Sequence, residues 1–175
     1  SMERRNFLRA LLAALPGILL PVGCGGRASD RLGRLLPQRK LGRTGEAVTM
    51  LGVGGYHIGW TTERDAQAVI EAALEGGVRF FDSAESYADG GSESRYGRFL
   101  TPNYRDDVFV MTKTGGKDAK TVQEHLDASL KRLNTDYLDL WQVHSIGSPE
   151  DVDTRIENGV LDVLEKAKES GKARY

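Results

Sequence analysis

Val78-Arg79-Phe80-Phe81-Asp82-Ser83-Ala84-Glu85-Ser86-Tyr87 decides the fold of this chain. Its first half is a short apolar run that predicts a buried strand over 78–82. The strand ends on the carboxylate of Asp82, and Tyr87 follows in the loop. The arrangement recurs downstream: Val108–Met111 is followed by Lys113, and Leu138–Val143 runs into His144. Helical patterns lie between these runs. Ala66, Val69, Ile70, Ala73 and Leu74 keep helical spacing behind Thr62-Glu63-Arg64-Asp65, which reads as a capping box, with Gly76-Gly77 as the stop. Ser92 is placed to cap a brief helix carrying Tyr96, Phe99 and Leu100, ended by Pro102. Thr121-Val122-Gln123-Glu124 is a second capping box, ahead of Leu126, Leu130 and Leu133. Val160, Leu161, Leu164 and Ala167 mark a last helix, stopped at Gly171. Strands alternating with helices predict parallel βαβ units with right-handed crossovers.

In a barrel of such units, residues leaving the C-terminal strand ends converge on one face, where catalysis sits. Asp82, Tyr87, Lys113 and His144 are therefore the candidate catalytic residues. A phenol titrates near ~10 in isolation. An ammonium close by favours the phenolate, so Lys113 is the expected tuner of Tyr87. Asp82 would hold Lys113 charged and oriented, because an unpaired buried ammonium is costly. A neutral His144 can donate a hydrogen bond to a substrate oxygen and hold it beside the Tyr87 hydroxyl. Together the four would protonate an oxygen as negative charge develops on it, the step that carbonyl reduction requires. Each has an ordinary alternative when taken singly. A strand-end Asp or Lys is more often half of a surface ion pair, a Tyr a half-buried packing group, and a His a hydrogen-bonded core residue.

At these residues the chain resembles the aldo-keto reductases. Phe80 to Tyr87 is similar to the family's Asp-containing signature, and Gly91-Ser92-Glu93 with Gly97 to the motif that opens its next helix. Val110-Met111-Thr112-Lys113 resembles the catalytic Lys strand, and Asp139-Leu140-Trp141-Gln142-Val143-His144 the His strand. Arg39 to Gly45, then Leu51-Gly52-Val53-Gly54-Gly55, is similar to the opening hairpin and first strand. The resemblance implies an α/β fold of (βα)8 TIM-barrel type, with NADP (or NAD) as cofactor and a small-molecule carbonyl substrate. It implies cofactor contacts at Gly54, Gly55, Tyr56 and Asp82, and it places the groups that read the 2′-phosphate on later strands.

Four βα units are legible, whereas a closed barrel needs eight and about 250 residues. The expectation is therefore a barrel's N-terminal half over residues 39–175, with apolar edges at its first and fourth strands that make it self-associate and bind cofactor weakly. The alternative of another class is a regulatory or binding protein on the same scaffold, separable by turnover of cofactor with an aldehyde. The short loops fit a small-substrate enzyme better.

Other chemistries find little support in the residues. Gly52-Val53-Gly54 faintly suggests a dinucleotide fingerprint, but His57 stands where its last glycine belongs. His57, His125, His144 and the single Cys lack zinc-ligand spacing, so no metal is expected, and His125 reads as a helix-surface residue. Glu85 is the one spare acid near the candidate site and reads as a solvated loop carboxylate. With 24 Lys+Arg against 25 Asp+Glu, no global charge draws the chain to nucleic acid.

Residues 1–38 differ in kind and read as an export signal and linker. Arg4-Arg5-Asn6-Phe7-Leu8-Arg9 precedes an almost uncharged stretch, Ala10–Gly23, too short to span a bilayer. The Arg pair resembles a twin-arginine signal, which exports folded proteins across the bacterial inner membrane. Pro21-Val22-Gly23-Cys24 loosely resembles a lipoprotein cleavage box, with Pro where Leu is usual, so Cys24 is a candidate lipid anchor. Arg27–Gln38 is the expected linker.

Overall fold

The computed structural model describes residues 28–175. The Arg4-Arg5 motif, the apolar stretch behind it and Cys24 lie outside the described residues. Two antiparallel hairpins come first: β1 (Ser29–Asp30) with β2 (Gly33–Arg34), and β3 (Gln38–Lys40) with β4 (Ala47–Thr49). There follow β5 (Gly52–Gly54), α1 (Gly55–Trp60), α2 (Glu63–Glu75), β6 (Phe80–Asp82), α3 (Gly91–Phe99) and α4 (Thr101–Tyr104). A 3-10 turn at Arg105–Asp107 leads to β7 (Phe109–Thr114), α5 (Ala119–Arg132), β8 (Leu140–Val143), α6 (Pro149–Glu157) and α7 (Val160–Glu169).

Strands β5, β6, β7 and β8 form one parallel sheet in chain order. Alternation along the strands sorts side chains between two faces. Phe81, Val110 and Trp141 point one way and pack with Ile70, Tyr96, Leu100, Leu126 and Val160 from the helices. Phe80, Asp82, Met111 and Lys113 take the other face, where the Phe80 and Phe109 rings meet at 5.5 Å. That concave face is the interior side of a barrel. The fold is a partial (βα)8 barrel of four units.

Several local expectations are corrected. Residues 28–38, expected as part of a linker, fold onto the strand N-termini: Leu32 joins the core edge, and Asp30 pairs with the buried guanidinium of Arg79 at 2.6 Å. The folded unit therefore begins before residue 39. Thr62 caps α2 as read, accepting from Asp65 N at 3.1 Å. Ser92 does not cap α3. Gly90 takes that position with a left-handed φ of 84°, while Ser92 is fully buried and its hydroxyl accepts from Ser83 Oγ at 2.9 Å. Pro102 opens α4 instead of ending a helix, as suits its missing N–H. Asp118, not Thr121, caps α5 by accepting from Thr121 N at 2.9 Å. Helix α6 adds to the expected elements, with Ser148 as its cap and Pro149 in its first turn. The edge of β8 is partly covered. Residues 172–175 run alongside it, with Leu138 N donating to Lys172 O at 2.9 Å and Arg174 N to Leu138 O at 3.0 Å.

Candidate active site

The C-terminal ends of the parallel strands bring the four sequence-identified side chains together. Asp82 closes β6 in register with Met111, so Lys113, two residues further along β7, rises on the same concave face. Lys113 Nζ forms an ion pair with Asp82 Oδ1 and donates to Ser83 O at 2.7 Å. Its side chain is 14% exposed and that of Asp82 30%, so the pair faces an opening. Burial of an ammonium that far is tolerable because two acceptors replace its water.

Tyr87 stands over this pair. Lys113 Nζ lies 5.0 Å from the centroid of its ring, and among the described residues no hydrogen bond joins Nζ to the Tyr87 hydroxyl. In this arrangement the ammonium's donors go to Asp82 and Ser83, and its approach to Tyr87 is to the ring. His144 continues the β7–β8 pairing, its N–H donating to Thr114 O at 2.8 Å. Its ring meets that of Tyr87 edge-on, with centroids 5.7 Å apart. On the other flank Tyr56 meets Tyr87 edge-on at 5.4 Å. Tyr87 is thus held between two rings with a cation beside it.

Backbone strain accompanies both aromatic members. Ala88 and Asp89, directly after Tyr87, have φ of 54° and 52°, and Ser145, directly after His144, has φ of 56°. Non-glycine residues in the left-handed region are uncommon and gather at sites where surroundings over-determine the backbone. Here the Ala88 methyl occupies a notch against Gly59 and Gly91, where added Cβ atoms would stand 2.7 and 3.2 Å from it.

The implied cofactor residues fall into two kinds. Gly54 is open, with no atom within 4 Å of where a Cβ would lie, and it pairs with Asp82 across the strand ends. Gly55 instead serves packing: a Cβ there would stand 2.2 Å from Asp82 O. Tyr56 is 52% exposed, its ring at the mouth of the site. An open backbone, a half-exposed carboxylate and an exposed ring fit the ribose and nicotinamide end of a dinucleotide. Among the described residues no group of His, Cys, Asp or Glu is arranged to hold a metal.

Two acids were misread or missed. Glu85 is not a solvated loop carboxylate, since Oε1 accepts from Gly115 N at 2.8 Å with the side chain 13% exposed. His125 lies on helix α5 as expected, its side chain 31% exposed, with Nδ1 2.9 Å from Thr114 Oγ1. Glu93 is fully buried behind the sheet, accepting from Thr112 Oγ1 at 2.5 Å and Arg132 Nε at 2.7 Å. The phenol of buried Tyr96 donates weakly to Val53 O and Asp82 O, and burial pushes its titration up.

Comparison with known proteins places this geometry. The NADP(+) aldo-keto reductase yakc of Schizosaccharomyces pombe is 34% identical over 157 residues, covering 80% of this chain and 44% of that protein. A probable voltage-gated potassium channel subunit beta of Oryza sativa is 34% identical, covering 71% of this chain and 42% of its own length. The crystal structure of an aldo-keto reductase from Klebsiella pneumoniae in complex with NADPH superposes with a TM-score of 0.63 at 30% identity, over 74% of this chain and 45% of that one. The chain spans about half the length of the curated relatives it matches. Residues 50–175 match the family model described as the Aldo/keto reductase family, and on that match the chain belongs to the family.

Proposed function

We propose that these residues form the proton-donating half of a nicotinamide-dependent carbonyl reductase. The observation that carries the reading is the Asp82–Lys113 ion pair set against Tyr87, with His144 across the same opening. A reduced nicotinamide, when bound, would supply the hydride for the carbonyl carbon. Gly54, Tyr56 and Asp82 lie where they would hold its ribose and ring. His144 orients the carbonyl oxygen by donating a hydrogen bond, and the Tyr87 hydroxyl gives that oxygen its proton, yielding an alcohol. Lys113 stabilises the phenolate left behind, which then takes a proton from water. Asp82 keeps Lys113 charged and aimed. NADP is favoured over NAD by the names of the relatives.

The experiment is isotopic. With NADPH carrying deuterium on the transferred position of C4 and a simple aldehyde, the protein in a complete barrel should form an alcohol with one deuterium on the carbinol carbon. An unlabelled alcohol, or none while cofactor binds, contradicts the reading. The second outcome would favour the alternative of a regulatory protein that keeps a cofactor site, a reading that draws on the channel-subunit relative.

We further propose export, on the strength of Arg4-Arg5 and the apolar stretch that follows. Cys24 is the candidate lipid attachment point. Substituting both arginines by lysine should leave the precursor in the cytoplasm, and unchanged fractionation would refute the signal.

A further inference from the structure

Glu85 is a partly buried carboxylate beside the site that the proposed chemistry does not use. It sits two residues before Tyr87 and grips β7 at two points. Its backbone N–H donates to Lys113 O at 3.2 Å, and its side-chain Oε1 accepts from Gly115 N at 2.8 Å. The two bonds bracket the end of the strand that carries Lys113. Gly115 permits the approach, since a Cβ there would already stand 3.1 Å from Oε1. His125 closes the far side, with Nδ1 3.7 Å from Oε1 and 2.9 Å from Thr114 Oγ1. Between Glu85 and Tyr87 the chain has little freedom, because Tyr87 N donates back to Ala84 O at 3.1 Å.

We infer that Glu85 is a positioning residue whose carboxylate, fastened to the Gly115 N–H, sets the placement of Tyr87 against Lys113. A carboxylate accepting a backbone N–H away from bulk water is a charge-assisted bond of the stronger kind, suited to fixing a loop on a strand. The inference rests on Tyr87 being the proton donor only for its effect on rate. Its geometric content stands apart from that reading.

The test reads geometry first. In NMR of the full chain, the Lys113 ε-methylene protons should be displaced by the ring current of Tyr87, a displacement that Tyr87→Leu identifies by removing it. Glu85→Ala should lose most of the displacement and speed exchange of the Gly115 amide proton. Glu85→Gln keeps an acceptor and should retain both. Glu85→Met, of similar length without an acceptor, gives the same reading should Glu85→Ala not fold. An undisturbed Lys113 signal in Glu85→Ala or Glu85→Met, or its loss in Glu85→Gln as well, overturns the inference. In a barrel that turns over, kcat should fall roughly 100-fold in Glu85→Ala with NADPH affinity unchanged and return in Glu85→Gln, as for a reacting group displaced by about an ångström. Absence of turnover in the unsubstituted protein would sink the proposed function while the NMR result still decides the role of Glu85.

Discussion

A lysine ammonium has three N–H donors, and in Lys113 two of them are committed, to Asp82 and to Ser83 O. The side chain is thereby fixed as a charge beside the Tyr87 ring. Asp82→Asn removes the negative charge beside Nζ and leaves only neutral acceptors, the Asn amide oxygen and Ser83 O, to hold it. In a complete barrel we expect that variant to lower kcat about 100-fold, within the range set by losing part of a general-acid assembly, with a smaller change in KM. Steady-state kinetics checks this, and an unchanged kcat would remove Asp82 from the role. The site's members differ in how openly the sequence displays them. Asp82, Lys113 and His144 each close an apolar run, so periodicity alone brings them to one end of a sheet. Tyr87 needs the loop after β6 to turn back, which its position suggests and its neighbours Ala88 and Asp89 enforce through left-handed backbone. Glu85 and Glu93 are visible in the sequence near the candidate site, but nothing local shows what they bind. Their partners, Gly115 and Arg132, lie 30 and 39 positions away, and only the packed fold distinguishes them from solvated acids.

At the level of elements, strands β6, β7 and β8 and helices α2, α3, α5 and α7 followed from apolar spacing, while helix α6 and the caps of α3 and α5 did not. Ser92 looks like a cap, yet Gly90 can adopt the left-handed start of α3, and burial of the Ser92 hydroxyl against Ser83 holds the helix to the end of β6. The β1–β2 hairpin was unreadable for another reason. Its strands are two residues long, with little hydrophobic periodicity to detect, and its hold on the sheet is largely polar. Asp30 is central to that hold, since the Arg79 guanidinium beside it keeps its carboxyl below the ordinary value of 3.8. A depressed folded-state value stabilises the fold fully above the ordinary value, and the stabilisation is lost as pH falls through the lowered one. Asp30→Asn should therefore be less stable than the parent at pH 7, with the difference shrinking as pH drops below about 4. Urea midpoints across pH 3–7 measure it, and a difference constant with pH would show that the ion pair contributes nothing through charge.

The described residues form four βα units whose concave face looks into space that a second set of strands fills in a closed barrel. Large apolar side chains are exposed on the β5 flank, at Met50, Leu51 and Trp60, and toward α6 and α7, at Ile146, Ile156 and Leu161. An exposed sheet edge with apolar side chains near it promotes association. The 175-residue chain alone should therefore sediment as oligomers. It should also show no saturation with NADPH at concentrations that saturate a full-length relative. A monodisperse monomer that binds NADPH tightly would mean that four units suffice for a site assigned to eight. The central claim, that Tyr87 is the acid of a carbonyl-reducing site, is tested most directly by Tyr87→Phe in a complete barrel. NADPH oxidation would be followed with an aldehyde, and cofactor binding measured in parallel. The account predicts that turnover falls by about 1,000-fold or more while NADPH affinity stays within a factor of two, because only the proton donor is removed. A variant that reduces the aldehyde at close to the parent rate would contradict it.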